Sequence, residues 1–190
     1  MFTHCGAVEI KTERLLLRRF RLTDAEDALK YWLSYPMVTY RYMLSGAYAD
    51  KERVETLLTQ WIDNYSNDNF YKWAIEEQAS GACIGDIYLW DINEDDASCE
   101  MGYALGEAFG GKGYMTEASK AVIDFSFEVM NAMRVDICTR SSNIASQKVI
   151  AKCGFMQIDI AKNALWENGV QCDRYFYSLT RDKWFSTIRK

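Results

Sequence analysis

The sequence predicts an α+β domain, a mixed sheet whose strands first form an antiparallel meander and then alternate with helices. Three observations carry this expectation. Residues 70–105 divide into three apolar runs separated by turn signals at residues 79–81 (ASG) and 92–96 (INEDD). A glycine-rich loop follows, residues 106–113 (GEAFGGKG), and after it the period changes, with Met115, Ala118, Val122, Phe125 and Val129 at helical spacing. A strand, a short helix and two last strands complete the order β-α-α-β-β-β-α-β-α-β-β.

Each element has a local reason. Residues 14–20 (RLLLRRF) read as a strand. Thr23 is placed to cap a helix whose first turn carries Asp24, Glu26 and Asp27, where acidic groups suit the helix dipole. Its apolar stripe is Ala25, Ala28, Leu29, Trp32 and Leu33. A second helix starts near Asp50, with Val54, Leu57, Leu58, Trp61, Ile62 and Tyr65 as its stripe, and residues 66–69 (SNDN) end it. Residues 134–139 form a strand with Val135 and Ile137 on one face. Residues 143–152 form a short helix stopped by Gly154, and residues 155–161 and 172–180 are the last strands, around a turn containing Asn168-Gly169.

Composition narrows the function. The 190 residues suit one domain, 1–190, large enough for a sizeable core, and 49% apolar with 26% charged residues is a globular profile. Pro36 is the one proline, and no repeat or composition shift marks a second domain. A net charge of -5 suits solubility, matches nucleic acid poorly and is compatible with a cationic acceptor such as an amine. The first residues, MFTHCGAVEI, do not read as a signal peptide, and no apolar run is long enough for a membrane span, so a cytoplasmic location is expected. Cys5, Cys83, Cys99, Cys138, Cys153 and Cys172 form no CxxC pair and read as free thiols. His4, read as part of an N-terminal tail, is the one histidine, which argues against a Ser-His-Asp or Cys-His hydrolase and against a zinc site, so no metal is expected.

Residues 105–118 read LGEAFGGKGYMTEA, a strand running into close glycines that open a helix. Backbone amides converging there, with the helix dipole behind them, suit a phosphate. A Walker A loop is excluded because Gly113 stands where a magnesium-binding Ser or Thr is required. A Rossmann GxGxxG starting at Gly111 fails at Thr116 and would follow a meander rather than open a βαβ unit.

The chain resembles the GCN5-related N-acetyltransferases (GNAT), and among them the RimJ/RimL-type branch that acetylates N-termini of ribosomal proteins. Residues 110–118 (GGKGYMTEA) are similar to that branch's GKGYATEA signature, and residues 143–155 (NIASQKVIAKCGF) to its NxxSxxVxxKxGF signature. Residues 173–179 (DRYFYSL) resemble its closing strand. The resemblance implies a central, mostly antiparallel, splayed sheet of about seven strands flanked by about four helices. Three positions depart from the family: in its [QR]xxGx[GA] loop Gly110 takes the first place and the bulkier Met115 the last, and Ile150 stands where many members carry a tyrosine acid.

The implied ligand is acetyl-CoA. Gly110, Gly111, Lys112, Gly113, Tyr114, Met115 and Thr116 would face its pyrophosphate, and Tyr103, Ala104 and Leu105 its pantetheine arm beside a splay between this strand and residues 134–139. Asn143 and Ser146, one turn apart, would serve pantetheine and the departing thiolate; both also suit helix capping. Glu100, near the start of the strand approaching the splay, is the candidate base for an incoming ammonium, with Asp173 and Glu167 behind it. Cys99 and Cys138 lack a histidine to activate them and read as packing groups; the tryptophans, including Trp32, Trp61 and Trp90, read mainly as core, with one or two available to wall the acceptor site. The expected reaction is direct attack of a primary amine, from a protein N-terminus or a small molecule, in a ternary complex; the alternative is a coenzyme sensor without catalysis. The acceptor site is assigned to residues 35–48 and the late strands, and the chain is expected as a monomer or homodimer.

Overall fold

The structure is a computed structural model that describes residues 2–33, 50–167 and 170–189. Its strands are β1 (Ile10–Lys11), β2 (Leu15–Arg18), β3 (Tyr71–Glu77), β4 (Cys83–Asn93), β5 (Ser98–Leu105), β6 (Arg134–Arg140), β7 (Met156–Glu167) and β8 (Val170–Thr180). Its helices are α1 (Ala25–Ala28), α2 (Lys51–Asn64), α3 (Tyr114–Glu128), α4 (Ile144–Lys152) and α5 (Arg181–Lys183). The eight strands follow one another across the sheet as β1-β2-β3-β4-β5-β6-β8-β7. Pairing is antiparallel for β1–β2, β2–β3, β6–β8 and β7–β8 and parallel for β5–β6, so the mixed, mostly antiparallel sheet expected from the sequence is present, with β1 as an additional short strand. No helix among the described residues is long and apolar enough to cross a membrane.

The described chain divides into two compact units. The first holds His4–Tyr88 and Tyr103–Ala121. In it Leu15 and Leu17 are fully buried, paired in register with Glu77 and Ile75. The aromatic cluster is Phe20 with Trp61 at 4.9 Å between centroids, and Trp32 stacked on Trp61 at 6.3 Å. α2 starts as its sequence indicates: the Asp50 side chain accepts from the Arg53 amide at 2.9 Å. The first helix departs from expectation. Thr23 does not cap it; the segment opens with a 3-10 turn, Leu22–Asp24, and Asp24 accepts from the Arg21 amide at 2.8 Å while pairing with Arg18 at 2.7 Å. Arg18 is buried, which opposes its charge, yet Asp24 and Glu76 hold its pKa above the ordinary arginine value. Gly85 is required by close packing: a Cβ there would lie 2.3 Å from the Ala104 carbonyl oxygen.

The second unit holds Met1–Thr3, Leu89–Gly102 and Val122–Lys190. β6 alternates as expected, with Val135, Ile137 and Thr139 buried. Gly154, at φ +81°, ends α4. β7 and β8 are longer than their sequence pattern suggested, and β7 follows β8 through two register shifts. The Asn168-Gly169 turn and Pro36 lie outside the described residues. Two apolar residues assigned to the interior are exposed: Val129 (45%), because α3 ends one residue before it, and Trp90 (48%), on the outer part of β4. The chain then closes on α5 and a π turn, Trp184–Ile188, which sequence patterning missed. Trp184 is buried and its indole donates to Asp124 at 2.8 Å.

One detail of the sheet prepares the site. The parallel register of β5 with β6 runs Ser98↔Arg134, Cys99↔Val135 and Glu100↔Asp136, and ends there. β6 continues with β8 to Arg140↔Arg174.

Candidate active site

The glycine-rich loop belongs to the first unit. β5 leads into Gly106, whose amide donates to the Ile84 carbonyl at 2.8 Å, and a 3-10 turn, Glu107–Phe109, carries the chain to Gly110. Gly111 and Gly113 adopt φ +74° and +86°, conformations that side chains disfavour. α3 begins directly after them, and its first backbone bond runs from the Glu117 amide to the Gly113 carbonyl at 3.0 Å. The amides of residues 111–116 therefore have no backbone acceptor among the described residues, as the first turn of a helix requires. A Cβ at Gly111 would meet nothing within 4 Å, so that side of the loop is open. Open, unpaired amides at a helix start fit an anionic pyrophosphate.

Met115 offers the loop only its amide, because its side chain is 5% exposed and packed in the core. Its bulk fills the interior rather than the open side of the loop. Ala104 is buried, while Tyr103, Leu105, Tyr114 and Thr116 are half-buried. Lys112 is exposed, with its ammonium 5.2 Å from the Phe109 ring centroid.

Sequence reasoning missed the groups that surround this loop. Glu117, in the first turn of α3, accepts from Thr12 Oγ1 at 2.6 Å, from the Arg14 amide at 2.9 Å and from Arg14 Nε at 2.7 Å. Arg14 Nη1 donates to the Lys112 carbonyl at 3.0 Å, and the guanidinium sits 4.6 Å from the Tyr114 ring centroid. The Tyr114 hydroxyl donates to Glu77 at 2.5 Å. The only sequence signal for Glu117 was its place in the loop motif.

The side chains expected to carry chemistry, Glu100, Asn143 and Ser146, belong to the second unit. Glu100 is half-buried at the last paired position of β5 with β6. The Cys138 thiol donates to Glu100 Oε1 at 3.1 Å, and Arg174 Nη2 reaches Cys138 Sγ at 2.9 Å. Burial raises the Cys138 pKa; Arg174 opposes this and Glu100 adds to it. Cys99 is buried and its pKa is pushed up to about 12, which suits packing rather than nucleophilic work. All six cysteines are free.

Asn143 performs the capping role: its Oδ1 accepts from the Ser146 amide at 3.0 Å. Ser146 is buried on α4. Asp173 is engaged by Lys162 at 2.8 Å and by the Asn163 amide at 3.0 Å, and these bonds hold its pKa below the usual carboxylate value, weakening it as a base. The Glu167 side chain and residues 35–48 lie outside the described residues. His4 meets the Tyr71 hydroxyl at 3.2 Å, within the first unit.

Residues 14–156 match the acetyltransferase (GNAT) domain family. The protein named "Putative ribosomal N-acetyltransferase YdaF" of Bacillus subtilis (strain 168) is 30% identical over 130 residues, 68% of this chain and 70% of its own length. The uncharacterized N-acetyltransferase p20 of Bacillus licheniformis is 28% identical over 170 residues, 90% of this chain and 94% of its own. Among solved structures, the ribosomal-protein-S5-alanine acetyltransferase of Vibrio fischeri superposes with a TM-score of 0.77 over 93% of this chain and 98% of that one, at 23% identity, a likeness of fold. With the loop, the sheet and these matches together, the chain belongs to the GNAT acetyltransferase family and is an acetyl-CoA-dependent N-acetyltransferase.

Proposed function

We propose that this enzyme acetylates the N-terminal amine of a protein, with residues 1–190 acting as one domain and Glu100 as the base. The observation that carries the mechanism is the position of Glu100, the last residue of β5 paired with β6, with its carboxylate held by the Cys138 thiol. The acceptor class is supported by the name of YdaF and by the net charge of -5, which favours a cationic partner.

The roles follow from what each group offers. Acetyl-CoA, when bound, supplies the acetyl group as a thioester. The amides of Gly110, Gly111, Lys112, Gly113, Tyr114, Met115 and Thr116 hold its pyrophosphate, and the backbone of Tyr103, Ala104 and Leu105 aligns the pantetheine arm. Asn143 uses its oxygen for the cap, which leaves its amide NH2 for pantetheine. Glu100 takes the ammonium proton, so that the neutral amine forms the new C–N bond as the C–S bond breaks, and the nitrogen's next proton passes to the thiolate, which leaves as coenzyme A. Ser146 hydrogen-bonds the departing thiolate.

Coenzyme A release with a panel of amines tests this reading. Peptides beginning with Ala or Ser are expected to give the highest kcat/KM. A polyamine, an amino acid or an antibiotic amine turned over faster than every peptide would overturn the protein acceptor.

A further inference from the structure

We infer that Arg14 and Glu117 are positioning residues that lock the loop at residues 110–113 in its binding form, and that Arg14 does so by fixing the direction of the Gly113 amide. This rests on the reading of the loop as the pyrophosphate site.

The mechanical problem lies in the Lys112–Gly113 peptide. Glycines at φ +74° and +86° flank Lys112, and glycine crosses between backbone regions at little cost. A peptide between two such residues can flip, turning its N–H away from the ligand. Arg14 Nη1 binds the Lys112 carbonyl at 3.0 Å. No peptide bond in the described structure is cis, so the Gly113 N–H points opposite to the carbonyl that Arg14 holds. Holding the carbonyl on the arginine side therefore keeps the amide on the other side. The arginine has its own support: Glu117 Oε2 receives Nε and Nη2, both at 2.7 Å, and the Tyr114 ring lies 4.6 Å below the guanidinium carbon. Glu117 Oε1 receives Thr12 Oγ1 and the Arg14 amide, so one carboxylate ties the β1–β2 turn to the first turn of α3. A carboxylate there also suits the helix N-terminus, and it keeps the arginine from offering its charge freely to the ligand.

The Arg14 side chain is 41% exposed, so this pair adds little to global stability; its effect is on the population of one loop conformation. If loss of the brace leaves about a tenth of the loops in the competent form, apparent affinity falls about tenfold.

The test is calorimetric titration of CoA into the unloaded full-length protein, with acetyl-transfer kinetics alongside. Arg14→Ala is expected to raise the CoA Kd about tenfold and to raise KM for acetyl-CoA, with kcat at saturation unchanged. Arg14→Lys, which cannot span both Glu117 and the Lys112 carbonyl, should recover part of the loss. Glu117→Gln separates a brace from a direct phosphate ligand. A brace predicts weaker CoA binding; an arginine that contacts phosphate itself would be released and bind CoA as well or better, which would overturn the inference. Equal Kd in Arg14→Ala and the parent would also overturn it, as would a fall in kcat matching any rise in Kd. Gly113→Val serves as the control: if it too leaves Kd unchanged, the loop reading has failed, whereas if it weakens binding while Arg14→Ala does not, only the brace has failed.

Discussion

The loop unit and the Glu100 unit solve different problems with different parts of the chain. At the loop the proposed working groups are main-chain amides, and side chains such as Arg14 and Glu117 are proposed to hold them. At Glu100 the proposed working group is one side chain, held by a thiol that is itself held by Arg174. A backbone site spreads its load over several equivalent donors and is sensitive to glycine loss and to its braces. A side-chain site concentrates its function in one titratable atom, so a change that keeps the shape can still abolish the chemistry.

Glu100→Gln tests the side-chain half and has the largest expected effect. It keeps the shape and removes the basicity, so kcat should fall about 10²-fold at pH 7 and CoA affinity should hardly move. The deficit should shrink as pH rises, because free amine accumulates without help from the enzyme. Activity equal to the parent at pH 7 would show that the proton leaves through water; a loss that is constant with pH would make Glu100 an acceptor-positioning group.

Gly113→Val tests the backbone half. A β-branched residue at φ +86° is strained, and its side chain meets Arg14 Nη2, 3.4 Å from the Cβ position. CoA affinity should fall about tenfold or more by calorimetry, or about 1.4 kcal/mol, with kcat nearly intact at saturation. If Gly113→Val and Glu100→Gln depress the same kinetic parameter, the contrast between the two regions is wrong.

The smallest effect is on stability in acid. Burial opposes the Glu117 charge, but Thr12, the Arg14 amide and the Arg14 guanidinium together hold its folded pKa below the ordinary 4.5. A depressed carboxylate contributes stability that is present above its unfolded pKa and lost as pH falls through the folded one. Stability measured by denaturant unfolding between about pH 6 and pH 3 should therefore fall less steeply in Glu117→Gln than in the parent, by a small margin. Parallel stability curves for variant and parent would mean that the hydrogen bonds around Glu117 carry no net linkage.

What the sequence made legible was local. The glycine-rich turn into α3, with Gly111 and Gly113 at positive φ, the Asp50 cap and the alternation in β6 depend on neighbours in the chain, and each forms where it was read. The misreadings came from distant partners. Asp24 rather than Thr23 serves the first helix because Asp24 is also fixed by Arg18. Trp90 reads as core by type but lies beyond the covered part of its strand. The C-terminal turn is held by Trp184 on Asp124, 60 residues earlier, and Glu117 binds Arg14 across 103 residues. No periodicity can announce such pairs. In the Glu100 region the strand that carries the residue was legible, whereas the chain of contacts from Glu100 to Cys138 and on to Arg174 was not, since three strands had to meet before these residues became neighbours.

The end of the β5–β6 register at Glu100↔Asp136 also bears on how long the protein survives. Where a ladder stops, the amides and carbonyls of the next residues, Met101 and Gly102 on β5 and Ile137 and Cys138 on β6, are not satisfied by each other. A cosubstrate that takes up such groups acts as a missing length of strand. It binds the native state alone, so at a hundredfold excess over its Kd it adds about 2.7 kcal/mol against unfolding. Proteases that cut the opened chain would then degrade the protein more slowly when acetyl-CoA is abundant and faster when it is scarce. The gap in the sheet would thereby tie the amount of enzyme to the supply of what it consumes.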